Sequence, residues 1–264
     1  MKKFFKILKV VLSVLFLIYS SVILYFLFLS PKQNRFDFAE HAQGYYISQK
    51  LFDILIYQYP DYSDAYFEKS VAFNKRGDYE RGFKILDKAV EIDDDVHLGY
   101  RGYMKLRFLR DYNAALIDFK RLDSLTPDFV DAPWGENIDF LRGECYFGMK
   151  DYQKAIESFN LNVKNHKEDW VDIQTFVYLG ICEYKLENYE KAISEFQRAL
   201  KQSDKTCEAH FYLAKVYVEL KDFKKARNHI LKAEESIDYK RDDSYKEFLN
   251  EIYISEIIAL KEQL

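Results

Sequence analysis

Any catalysis by this 264-residue chain would fall to five histidines, three cysteines and a large stock of carboxylates. The histidines stand singly at positions 41, 97, 166, 210 and 229, with no His-Glu-x-x-His and no metal-ligand spacing. No glycine-rich phosphate loop and no serine nucleophile elbow is present. Carboxylates spread along helices form solvated faces and local ion pairs. The expectation is a non-enzyme, with no catalytic residues, no cofactor and no metal. Apolar and aromatic side chains are left as candidates for holding another protein. The 22 Tyr and 22 Phe carry little weight as a count, because an AT-rich coding sequence enriches Phe, Tyr, Lys, Ile and Asn together.

The elements that would position such residues are helical. With 48% hydrophobic and 31% charged residues the chain can fold, and 9 Gly and 4 Pro supply little turn chemistry for a sheet. Charge is unevenly placed. Lys2, Lys3, Lys6 and Lys9 precede the first acid, Asp37, so the rest of the chain carries 35 basic against 43 acidic residues. A folded part at −8 has the wrong sign for wrapping nucleic acid or lying on anionic lipid.

Residues 10–29 carry no charge and span roughly 30 Å as a helix, the thickness of a bilayer core. A cleaved signal peptide would have a shorter apolar run and a small-x-small site. Here Phe28 precedes Ser30 and Tyr19 precedes Ser21, both poor cleavage sites, and no cysteine lies nearby for lipidation. The expectation is an uncleaved single-pass anchor behind a basic tail, residues 1–9. Four lysines precede the span, and only Lys32 and Arg35 closely follow it. The positive-inside bias puts the N-terminus in the cytoplasm and the remainder outside it, in the periplasm of a cell with two membranes.

Beyond a linker at 30–35, a two-residue motif recurs six times: Gly44-Tyr45, Asp78-Tyr79, Asp111-Tyr112, Asp151-Tyr152, Asn188-Tyr189 and Asp222-Phe223. The intervals are 34, 33, 40, 37 and 34 residues, and an amphipathic helix follows each motif. Over residues 36–240 the chain resembles the tetratricopeptide repeat family, whose unit is two antiparallel helices. Small residues stand where paired helices would cross: Ala115, Ala155, Ala192 and Ala226 on second helices, and Ser70, Gly143, Gly180 and Ala214 on first helices. Tyr103 replaces a small residue in the 111 unit, and Leu122 and Asn162 replace alanine at the contact with the next unit. The resemblance implies an all-α, α-α superhelix of about five to six repeats. Ser244-x-x-Glu247 reads as a capping box for a terminal helix within 241–264, which either tucks across the last repeat or presents a self-association surface. Cys145 and Cys182 fall at equivalent places in adjacent units, beyond disulfide reach, and are expected as buried thiols.

First helices of such repeats line a groove. By alignment the groove candidates include Phe67, Tyr100, Met104, Phe140, Phe147, Tyr184 and Phe211, an aromatic row suited to a protein segment. Several of these could instead pack between neighbouring first helices. The lysines and asparagines with which some family members clamp a terminal carboxylate are missing here. Trp134 and Trp170 fall in the two long intervals and would either form an aromatic ridge or cover the tops of their repeats. The function expected is a membrane-anchored scaffold for a protein or peptide partner, in an envelope or secretion assembly. The alternatives are a self-assembling membrane protein, oligomeric through its C-terminal helix, or an inhibitor or accessory of an enzyme or toxin.

Overall fold

A computed structural model describes residues 2–166, 170–239 and 248–264. Among these, every regular element is helical, and two compact units are formed, residues 1–97 and 98–264.

The first unit holds α1 (Lys2–Phe28), α2 (Lys32–His41), α3 (Tyr46–Gln58), α4 (Ser63–Asn74), α5 (Tyr79–Ile92) and the start of α6 (Asp94–Met104). Helix α1 is apolar enough to cross a membrane, with a mean hydropathy of 2.5. Its last turn is tied down. Ser30 Oγ donates to the Phe26 carbonyl (2.7 Å), and the buried Arg35 guanidinium donates to the Leu27 carbonyl (3.0 Å) and to Gln58 Oε1 (2.5 Å). A cation at this end also complements the helix dipole. The expected linker is therefore short, since Lys32–Arg35 already form the first turn of α2.

The second unit holds the rest of α6, a π-helical turn (Lys105–Leu109), α7 (Tyr112–Leu125), a 3-10 turn (Pro133–Gly135), α8 (Ile138–Gly148) and α9 (Tyr152–His166). It continues with α10 (Ile173–Lys185), α11 (Tyr189–Gln202), α12 (Cys207–Glu219), α13 (Phe223–Ser236) and α14 (Ile254–Lys261). From α2 to α13 the helices pair as six antiparallel hairpins, and the recurring motif begins each second helix. Asp78, Asp111, Asp151 and Asp222 accept backbone N–H bonds from Arg81, Ala114, Lys154 and Lys225, which caps the helix. The residue just before five of the six motifs is left-handed: Gly77, Arg110, Lys150, Glu187 and Lys221 have φ between 54° and 76°. That turn closes the first helix and reverses the chain. Small residues do stand at the crossings. A Cβ on Gly143 would lie 2.5 Å from the Phe159 ring, and one on Gly180 would lie 2.5 Å from Phe196.

Two expectations are corrected. In α6 the small residue is Gly102, whose Cβ would meet Phe119 at 2.7 Å, and not the position of Tyr103. Nine residues separate Gly102 from Asp111, where eight separate Ser70, Gly143, Gly180 and Ala214 from their motifs. The π turn absorbs the extra residue, as the wide Asp111 N to Lys105 carbonyl bond shows (3.0 Å). Tyr100 and Met104 were therefore aligned one residue late; Gly99 and Tyr103 match Phe140 and Glu144 on the neighbouring first helix. The second correction is at the C-terminus. The Ser244–Glu247 box lies outside the described residues, and the helix begins at Ile254 rather than near 244, with Glu256 accepting from the Tyr253 N–H (2.9 Å). Residues 248–253 are non-helical because alternate side chains are drawn into the repeats: Phe248, Asn250 and Ile252 are 6%, 4% and 1% exposed.

Candidate protein-binding face

The first-helix face of the second unit is built over a buried ion network. Arg107 projects from the π turn, where the extra residue turns it toward α8. Its Nη1 donates to Glu144 Oε1 (2.6 Å), and its Nη2 pairs with Glu144 Oε2 (2.6 Å) and Glu136 Oε2 (2.5 Å). The Tyr178 hydroxyl on α10 donates to the same Glu144 oxygen (2.8 Å). Burial raises the Glu144 carboxyl above its ordinary range against the pull of Arg107, and burial followed by the Glu144 charge drives the Tyr178 phenol well up. Such a cluster is costly to assemble unless each group finds a partner, so its presence fixes one arrangement of α6, α8 and α10.

The chain's own C-terminal segment lies on this network. The Phe248 ring packs on Phe140 (6.3 Å between centroids) and Tyr178 (6.5 Å), with the Arg107 guanidinium 5.1 Å from its centre. The Leu249 backbone N–H donates to the Tyr178 hydroxyl (2.8 Å), and Asn250 Nδ2 donates to Gln174 Oε1 (2.8 Å). Ile252 enters a cluster with Cys207, Phe211, Ala214, Ile230 and Ala233, which α14 joins through the fully buried Ile257.

The residues expected at a partner site divide accordingly. Tyr100, Met104, Phe140 and Phe211 are buried, the last two beneath the C-terminal segment and α14. Phe147 and Tyr184 are half-buried; Phe147 meets Tyr178 (4.9 Å), and Tyr184 meets Tyr189 and Tyr212 (6.2 and 6.0 Å). In the first unit, Phe67 stacks on His97 (5.0 Å). Trp134 lies over Tyr100 (4.9 Å) and stays 53% exposed. Trp170 is 81% exposed at the rim of a recess that also takes in Asn137, His166 and Phe248.

Sequence reasoning missed Arg107, Tyr178, Gln174, Phe248 and Asn250. The one signal was the nine-residue spacing in α6; residues 248–252, Phe-Leu-Asn-Glu-Ile, carry no alternating pattern that would announce their burial. It also read the histidines as isolated. His210 and His229, on facing helices of one hairpin, have Nδ1 atoms 3.0 Å apart, so one ring donates to the other. The three cysteines are free and buried, and burial pushes the Cys145 and Cys182 thiols up.

This geometry defines a helical-repeat solenoid, a class of protein-interaction scaffold. Its repeats are tetratricopeptide repeats: models described by that name match residues 63–96, 140–161 and 179–239. Mouse tetratricopeptide repeat protein 12 is 30% identical over 126 residues, which is 46% of this chain; the chain spans only 17% of that relative's length. Among solved structures, MamA from Desulfovibrio magneticus RS-1 (residues 41 to its end) aligns with a TM-score of 0.58 at 21% identity, covering 68% of this chain and 97% of that one. YrrB, described as having an unusual peptide-binding site, aligns with a TM-score of 0.57 at 16% identity, covering 80% and 97%. At such identities the likeness is one of fold.

Proposed function

We propose that the protein is a single-pass membrane scaffold whose repeats hold a segment of another protein on their first-helix face. The observation that carries this reading is that the face already holds a non-helical peptide, residues 248–252, by a ring slot, a main-chain N–H and a side-chain amide. YrrB is described as binding peptide, which is the ligand type inferred here. Helix α1 would set the scaffold in a membrane, with its four lysines on the cytoplasmic side and the repeats exported. There it would raise the local concentration of envelope or secretion components. The proposed contacts outside the covered area are Phe147, Tyr184, Trp134 and Trp170 in the second unit and, separately, Phe67 in the first. The fold-back of α14 onto α12 and α13 favours capping over self-association through that helix.

Photo-crosslinking residues placed at Phe147 and Tyr184, in native membranes, test the reading. A discrete heterologous adduct is expected from both positions and from neither Ile117 nor Leu161, exposed on second helices. Adducts only between copies of this chain would replace it with self-assembly. Trp134→Ala and Trp170→Ala are expected to weaken the adducts without loss of helix content.

A further inference from the structure

The C-terminal segment does more than close the last repeat. Cap and segment are separable: α14 makes the closure through Ile257, while residues 248–250 reach back beyond α12 to α10 and α8. They do so in a non-helical conformation that the surrounding sequence pattern does not favour, so the face imposes it. The means are specific. Arg107 holds Glu144, Glu144 accepts the hydrogen bond that the Tyr178 hydroxyl donates, and the Tyr178 oxygen is thereby aimed as an acceptor at a backbone N–H. Main-chain capture of this kind is indifferent to which chain supplies the amide. The side-chain demands are an aromatic ring against Phe140 and the Arg107 guanidinium, and a primary amide for Gln174 two residues later.

We infer that this face is a peptide-binding site kept occupied in cis, and that its partner carries a non-helical aromatic-x-Asn segment which must displace Phe248–Asn250. The inference rests on the scaffold reading and adds the partner's chemistry and its regulation. A tethered occupant acts at an effective concentration in the millimolar range, so it lowers the apparent affinity for any competitor by the fraction of time the site is free. Partners with a weaker match are excluded, and strong ones are admitted at a threshold.

The test uses the full-length chain in detergent and a fluorescent synthetic peptide of sequence Phe-Leu-Asn-Glu-Ile-Tyr. Anisotropy is expected to show binding at least ten-fold tighter to the Phe248→Ala/Asn250→Ala chain than to the unsubstituted one. Adding Tyr178→Phe, which keeps the ring but not the acceptor, should remove most of that gain. A peptide with alanine at its Phe and Asn positions should not bind. In the unsubstituted chain, where no variant can misfold, excess peptide should speed hydrogen exchange at the Leu249 amide. Equal binding to both chains, binding to neither, or an unchanged Leu249 exchange rate overturns the inference. So does a concentration-dependent dimer of the unsubstituted chain that Phe248→Ala abolishes, since the occupant would then be a second copy. If these fail while the heterologous adducts at Phe147 and Tyr184 persist, the scaffold reading stands without this regulation.

Discussion

Arg107 is where the irregular repeat acquires its chemistry, because it is buried between two carboxylates, of which Glu144 is fully enclosed. Removing one partner of a buried ion pair leaves the other charge unpaired, a loss of about 3–5 kcal/mol. Arg107→Met should lower stability by that amount in urea unfolding, and Glu144→Gln added to it should recover enough to give a coupling above about 1 kcal/mol. The His210–His229 pair makes a second residue-scale prediction. Burial, then His210 and the nearby Lys232 and Lys225, push His229 down from 6.5 to about 4. The unfolded chain therefore binds more protons below pH 6.5, so this contribution is intact at neutral pH and is lost as pH falls from about 6.5 toward 4. With the ring only partly buried, screening by solvent should hold the loss to about 1 kcal/mol. It should read as a steeper fall in the unfolding midpoint for the natural chain than for His229→Gln.

At the scale of the element, four of the hairpins are set by a left-handed residue, an Asp cap and a small residue at the crossing. The motif and, outside α6, the crossings were legible because they depend on residue type at a fixed offset. The left-handed position was not, because Arg110, Lys150, Glu187 and Lys221 occupy it where Gly77 would be the natural choice. A left-handed non-glycine costs roughly 1–2 kcal/mol, and glycine's extra unfolded-state freedom offsets about 0.4–1 of that. Lys150→Gly, Glu187→Gly and Lys221→Gly are each expected to stabilise the protein by about 0.5–1 kcal/mol, measured as a raised thermal midpoint. The π turn at Lys105–Leu109 shows the opposite limit. One inserted residue moves no motif, yet it shifts every preceding side chain of α6 by about 100° around the helix, so alignment by interval misplaced Tyr100 and Met104.

For the whole molecule, charge and apolarity are segregated between α1 and the remainder. The last turn of α1 belongs to the core of the first unit through Phe26, Leu27 and Arg35, so the first hairpin begins directly at the end of α1. A chain lacking residues 2–24 keeps that last turn. It should leave the membrane fraction for the aqueous supernatant and fail to sediment with anionic vesicles at low salt, because residues 30–264 are net acidic. The full chain should resist salt extraction and yield to detergent.

Hydropathy and spacing by themselves pointed to the helical class, to about five to six repeats and to an N-terminal helix able to span a membrane. These follow from local rules: uninterrupted apolar length, cap residues, and a small residue every repeat. Tertiary structure alone decided what the first-helix face holds. Phe140 and Phe211 look from sequence like open groove residues, but residues more than thirty positions away return to cover them. Burial is a property of which distant segments meet, and the helical pattern around 244–264 gave no sign that the repeats would draw 248–253 out of a helix. The buried Arg107–Glu144–Tyr178 chain was hidden for the same reason, since three residues on three helices become one acceptor only after the helices have packed.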